Sequence, residues 1–254
     1  MTTPARIALV TGGSRGLGKN MAQRLAEYGN DVILTYLSKE KEARTVAAAI
    51  EGMGRKAAAL QLDVGNIAGL APFVENLKKC LADRWGTGRF DILVNNAGIG
   101  ATIPFEKATE EDFDRFVNIH FKGVYFLTQR TLPLLRDNGR IINVSSGTTR
   151  FCIPGYSIYA AMKGAVETFT KYLAKEVGPR GITVNVLAPG AIETDFNNAR
   201  VRDNPELNAF IASQTALGRA GQVEDIGGVV AFLSSPDARW ITGQRIEVSG
   251  GMFL

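Results

Sequence analysis

The sequence predicts one α/β domain: a doubly wound, seven-stranded parallel sheet with helices on both faces. Three observations carry this. Short, nearly continuous apolar runs alternate with stretches of helical apolar spacing along the chain, as expected of βαβ units whose strands are buried on both faces. The 28 glycines fall in no repeat or low-complexity tract, which suits tight turns at strand ends. The chain has 254 residues, 45 % of them apolar, with no linker and no shift of composition, so residues 1–254 read as a single domain.

The elements follow in order. A first strand is expected at 6–11, then a helix at 19–28 with Met21, Leu25 and Tyr28 on one face. A second strand spans 31–36, an alanine-rich helix 40–53, a third strand 57–62 and a helix 70–85. The fourth strand is placed at 90–95 and one long helix at 110–135. The fifth strand falls at 140–144, a helix at 158–177, the sixth strand at 182–187, a helix at 223–234 and a last strand at 245–248. Right-handed crossovers between such units put the ligand site at the carboxyl ends of the strands. The stretch 191–221 lacks strong periodicity, follows the sixth strand, and is expected to form a substrate lid.

Composition excludes several classes. The 29 basic and 25 acidic residues give a net charge of +4 and are scattered, so no nucleic-acid partner is expected. No apolar run approaches the ~20 residues that span a bilayer, so no membrane partner is expected. Cys80 and Cys152 make neither a disulfide framework nor a Cys/His cluster, and no metal is expected. Residues 1–6 carry no apolar leader, and the expectation is a cytoplasmic protein with reduced thiols.

The first strand runs into TGGSRGLG at 11–18. Gly12, Gly16 and Gly18 allow a tight turn and a close backbone approach, and the helix that opens there presents free N–H groups to a pyrophosphate. A plain glycine-rich turn is the alternative. The end of the second strand, Thr35-Tyr36-Leu37-Ser38-Lys39, holds no carboxylate for a ribose 2′-hydroxyl, while Arg15 in the turn could grip a 2′-phosphate. NADP(H) is therefore favoured over NAD(H).

Tyr159 and Lys163 stand four apart at the start of a helix and share a face. A neighbouring ammonium favours phenolate and should lower the tyrosine pKa, so that the pair can exchange a proton near neutral pH. Alone, the spacing equally suits an ordinary helical pair. The fifth strand, however, ends in NVSS at 143–146 and the fourth in NNAG at 95–98, both at the ligand side of the sheet, with Asn118 on the helix between them.

With these motifs in this order, the chain resembles the short-chain dehydrogenase/reductase family, which has a Rossmann fold, along essentially its whole length. It looks most like the 3-oxoacyl-(acyl-carrier-protein) reductases, through RGITVN at 180–185 and PGAIET at 189–194. The resemblance implies Tyr159 as general acid in reduction, Lys163 as its modulator and a ligand of the nicotinamide ribose, Ser146 as holder of the substrate oxygen, and Asn118 as anchor of a proton-relaying water. It also implies a cofactor bed. Gly12, Ser14, Arg15, Gly16, Leu17 and Gly18 would surround the phosphates. Tyr36 would stand at the end of the second strand. Asp63 and Val64 would lie by the adenine, and Asn95, Ala97 and Gly98 by the adenosine ribose. Pro189, Gly190, Ile192 and Thr194 would flank the nicotinamide. A homotetramer or homodimer through the long helix is the implied assembly, and a small-molecule or acyl-thioester carbonyl the implied substrate. An NAD-dependent alcohol, polyol or sugar dehydrogenase, and a non-catalytic dinucleotide sensor, are the alternatives.

Other features read as structural: His120 as a packing histidine, Cys152 as a bystander thiol, and Arg200 and Arg202 as solvated lid charges. The aromatic set Phe113, Phe116, Phe121, Tyr125 and Phe126 reads as core packing with an outward share at a helix–helix interface.

Overall fold

A computed structural model describes residues 5–254. Seven strands form one parallel sheet: β1 (Ile7–Val10), β2 (Asp31–Tyr36), β3 (Ala57–Gln61), β4 (Phe90–Asn95), β5 (Leu135–Val144), β6 (Thr183–Pro189) and β7 (Arg245–Val248). Their order is β3-β2-β1-β4-β5-β6-β7, so the winding reverses between β1 and β4. That switch point opens a crevice at the carboxyl ends of the two strands.

Every residue of β1, β4 and β6 is buried, the double-sided burial that the continuous apolar runs imply. Helices α1 (Gly16–Glu27), α2 (Glu40–Gly52) and α9 (Glu224–Ser234) cover one face, burying Met21, Leu25, Val46, Ile50, Ile226 and Val230. Helices α3 (Leu70–Trp85), α5 (Gly123–Thr131) and α6 (Ser157–Val177) cover the other, with Phe73, Leu77, Leu81, Leu127 and Leu173. No helix among the described residues is long and apolar enough to cross a membrane.

The long helix expected at 110–135 is not continuous. A capping box of Thr109 and Asp112 starts α4 (Glu110–Val117). A π-helical turn, Asn118–Lys122, then intervenes before α5, with the Gly123 N–H bonded to the Asn118 carbonyl. Pro133 ends the run in a 3₁₀ turn, and β5 begins at once at Leu135, five residues before its expected start. β6 runs two residues beyond its expected end. The segment 191–221 contains two short helices, α7 (Arg200–Asp203) and α8 (Pro205–Ser213), and its ends are pinched together where Ile192 bridges Gly221.

Candidate active site

The crevice is a single cavity of about 810 Å³ that runs from the glycine turn, past the end of β2, to Ser146, Tyr159 and the 191–221 segment. The turn is clamped from two sides. The Gly12 N–H donates to Thr35 Oγ1 at 3.1 Å and the Gly13 N–H to the Thr35 carbonyl at 2.8 Å. Asn96 Nδ2 donates to the Thr11 carbonyl at 2.9 Å. Gly12 and Gly16 have φ of 66° and 53°, the left-handed region that glycine tolerates. A Cβ at Gly18 would collide with the Gly12 carbonyl oxygen. Arg15 precedes the first turn of α1 without a side-chain cap, and no acidic residue sits in that turn. The amides at this helix end thus face the cavity, suited to an anion.

Ser14, Leu17, Tyr36, Asp63, Val64, Ala97, Gly98, Pro189, Gly190, Ile192 and Thr194 also line the cavity. At the end of β2, Leu37, Ser38 and Lys39 line it with no carboxylate among them, and Arg15 lines the same cavity. The residues present therefore fit a dinucleotide bearing a 2′-phosphate. Lys39 is a second cation lining this end, beside residues whose types alone did not mark it out. Arg15 stands 3.7 Å from the Asp195 carboxylate, a pair largely exposed to solvent.

Two expected residues do not line the cavity. Asn95 is buried, and its Nδ2 donates to Thr128 Oγ1 at 3.0 Å and Asn143 Oδ1 at 2.8 Å, stitching β4 to α5 and β5. Successive strand side chains alternate in direction, so Asn96 takes the place at the cavity. Asn118 opens the π turn and gives its carbonyl to Gly123. Its neighbours Ile119 and His120 line the cavity instead.

Ser146 follows β5 and caps a 3₁₀ turn, accepting from the Thr148 N–H at 3.2 Å. Tyr159 and Lys163 project from the first turns of α6, both buried. Lys163 Nζ donates to the Val144 carbonyl at 2.8 Å and lies 5.5 Å from the centre of the Tyr159 ring. The expected lowering of the tyrosine pKa does not appear. Burial pushes the Tyr159 phenol up to about 12, with the Ser146 hydroxyl opposing, and burial pulls the Lys163 ammonium down to about 8. Desolvation penalises both charged forms.

Beyond Tyr159 the wall is aromatic. Phe151, Tyr156, Phe196 and Phe210 line it, the Phe196 ring 6.1 Å from that of Tyr159. Asn197 Nδ2 donates to Tyr156 Oη at 2.7 Å and Arg200 Nη1 to Thr102 Oγ1 at 2.7 Å, fastening the 191–221 segment across the mouth.

A family model described as enoyl-(acyl carrier protein) reductase matches residues 12–253. The chain belongs to the short-chain dehydrogenase/reductase family. It is an NAD(P)-dependent oxidoreductase acting on a carbonyl or the corresponding alcohol. Among its relatives is an uncharacterised oxidoreductase of Methylorubrum extorquens, 39 % identical over 247 residues, 97 % of each chain. A hydroxynaphthalene reductase-like protein of Metarhizium brunneum is 37 % identical, covering 97 % of this chain and 94 % of its own. Among solved structures, the promiscuous reductase LugOII, which catalyses keto-reduction at C1 during lugdunomycin biosynthesis, superposes with a TM-score of 0.93 at 39 % identity over 98 % of both chains. The angucycline C-6 ketoreductase LanV with bound NADP also gives 0.93 at 39 % identity, over 98 % of this chain and 95 % of its own. Of the expected site residues, Asn95 and Asn118 stand behind the cavity wall, and His120 stands at it.

Proposed function

We propose that this reductase uses NADPH to reduce a ketone on a fused-ring aromatic or polyketide-like substrate. One observation carries the reading: a buried Tyr159 and Lys163 stand where an aromatic-walled chamber meets the glycine-turn end of the same cavity. NADPH, when bound, supplies a hydride to the carbonyl carbon. The 12–18 turn, Arg15 and Lys39 hold its phosphates, and Pro189, Gly190, Ile192 and Thr194 flank its nicotinamide. Ser146 donates a hydrogen bond to the substrate oxygen.

Tyr159 Oη then gives its proton to that oxygen, and the product leaves as a secondary alcohol. A phenol held up near 12 is fully protonated at neutral pH, so the donor is in the right form. The phenolate left behind is stabilised by Lys163, which is still mostly cationic below about pH 8. Reduction should decline as pH rises through that value. The 191–221 segment closes over the substrate and excludes water.

The aromatic wall favours a flat ring system, in keeping with the ketoreductase and hydroxynaphthalene reductase-like relatives. A β-ketoacyl thioester is the second reading, favoured by the acyl-carrier description of the matched family model. Steady-state rates with a tetralone-type ketone, a β-ketoacyl thioester and a sugar, each with NADPH and NADH, separate these. Preference for NADH, or activity confined to the thioester or the sugar, overturns the corresponding part. Tyr159→Phe should lower kcat on the order of 10³-fold while leaving NADPH binding intact. Retained turnover would sink the mechanism.

A further inference from the structure

Three stretches of chain meet at the mouth of the aromatic chamber: the loop after β4 at 99–103, the turn before α6 at 153–156, and the start of the 191–221 segment. Glycines let them close on one another. A Cβ at Gly155 would lie 2.7 Å from Thr102 Cγ2, and one at Gly100 would lie 2.5 Å from the Phe196 ring. The Ile103 N–H donates to the Gly155 carbonyl at 2.8 Å. Asn197, Asn198 and Ala199 follow with φ of 52°, 57° and 57°, a left-handed run that asparagine tolerates and alanine disfavours. Backbone of this kind persists where its surroundings over-determine it, as they do in a ligand clamp.

The three stretches hold a cluster of donors with one hydrogen left over. Arg200 Nη1 donates to Thr102 Oγ1 at 2.7 Å, and Asn197 Nδ2 donates to the same oxygen at 3.3 Å. A guanidinium and an amide nitrogen only donate. The Thr102 hydroxyl, receiving both, passes its own hydrogen to Tyr156 Oη at 3.4 Å. Tyr156 Oη also accepts from Asn197 Nδ2 at 2.7 Å. The Tyr156 hydrogen then has no acceptor among the described residues. Its phenol lines the cavity, the ring 6.2 Å from that of Tyr159. Arg200 lines the cavity as well. The ion pairs of the 191–221 segment run through Asp195, Asp203 and Asp225, and among the described residues none includes Arg200.

A phenylalanine at 156 would serve the aromatic wall equally well, so packing leaves the hydroxyl unexplained. Hydrogen bonds in a chain polarise one another, and the guanidinium at the far end therefore strengthens the Tyr156 O–H as a donor. Its natural partner is an oxygen rich in electrons. We infer that Tyr156, backed by Thr102 and Arg200, is a specificity-determining site for a second oxygen on the substrate, phenolic or carbonyl, carried by the same ring system as the ketone that Tyr159 protonates. The inference deepens the fused-ring ketone reading above and rests on it. It makes an otherwise unsubstituted ring ketone a poor substrate.

Two pairs of probes test it. Tetralone is compared with the hydroxytetralones by NADPH oxidation, and naphthol with the naphthalenediols by titration calorimetry on the NADPH-loaded protein. The best-placed second hydroxyl should raise kcat/KM, and tighten binding, by about tenfold or more over the parent compound. Tyr156→Phe should bring both ratios close to one, and Arg200→Gln should lower them part of the way. Ratios near one in the native protein overturn the inference. Ratios that survive Tyr156→Phe overturn it too, because a change of packing alone weakens parent and hydroxylated probe alike. Should Tyr156→Phe not fold, Thr102→Val cuts the donor chain one link back, and ratios unchanged in both Thr102→Val and Arg200→Gln overturn it. A native protein that prefers a naphthalenediol but reduces no tetralone defeats the ketone reading instead, and leaves this site standing.

Discussion

Lys163 shows how an active site is maintained at a loss to the fold. Its ammonium is buried with one hydrogen bond, to the Val144 carbonyl, and its pKa falls from 10.5 to about 8. Below pH 8 the folded and unfolded chains both carry the proton, and the folded one carries it at a penalty of about 3 kcal/mol. Between 8 and 10.5 the unfolded chain binds more protons, so stability rises with pH and the penalty is relieved. Lys163→Met keeps the length of the side chain and removes the charge. It should raise the melting temperature of the cofactor-free protein at neutral pH, the gain fading above pH 8, while abolishing turnover. A melting temperature no higher than native at neutral pH would show that the Val144 bond fully offsets burial. The Tyr159/Lys163 spacing was legible in the sequence, because four residues make a helical turn. The direction of the tyrosine shift was not, because spacing says nothing about how far water is excluded.

At the scale of elements, the same limit appears as a matter of register. The apolar rhythm of 110–135 reads as one helix, and on a regular helix Asn118 and His120 point in different directions. A π turn at Asn118–Lys122 shifts the phase of the helix from there on; Ile119 and His120 line the cavity, and the Asn118 carbonyl accepts from the Gly123 N–H. No residue in 118–122 signals such a turn in advance. The exchange of Asn95 for Asn96 was recoverable, since strand alternation forbids both from facing one way. A second element-scale device lies behind Ser146. Glu247 on β7 accepts from Arg150 at 2.6 Å and 2.7 Å, from Arg245 at 2.8 Å and from Ser249 at 2.7 Å. Arg245 reaches on to Glu167 of α6 at 2.9 Å and to the Ser146 carbonyl at 3.2 Å. The cluster ties β7 and α6 to the turn that carries Ser146. Burial alone would raise the Glu247 pKa, but these donors together hold it near 2, against an ordinary 4.5. The carboxylate therefore stabilises the fold above pH 4.5, by about 3 kcal/mol at most, and that contribution disappears as pH falls from 4.5 through about 2. Glu247→Gln should melt well below the native protein at neutral pH, with the gap closing across that acid window. A gap that stays constant down to pH 2 would contradict the charge-based account.

The whole molecule raises the question of its outer faces. The order of strands and the two helical layers follow from the βαβ alternation, so the crevice was placed correctly before any side chain was. Which aromatic residues would be left outside was less clear. Phe116 turns inward and is 2 % exposed, whereas Phe113, Tyr125 and Tyr172 stay 46 %, 38 % and 69 % exposed on α4, α5 and α6. Tyr125 packs its ring 4.8 Å from Phe169, so α5 and α6 present one continuous aromatic surface. Such a surface calls for a partner, and a second copy can cover it symmetrically, each chain burying the other's patch. We propose that the chain assembles through this face, as a dimer or as the tetramer that two such pairings build. In a two-fold interface each substitution acts twice, so placing Arg at Tyr125 and Asp at Tyr172 on the same chain should release smaller species in sedimentation velocity. The circular dichroism of those species should match the native protein, because both side chains lie outside the core. Native protein sedimenting as a monomer of 27.3 kDa would refute the assembly. An assembly unmoved by both substitutions would place the interface elsewhere.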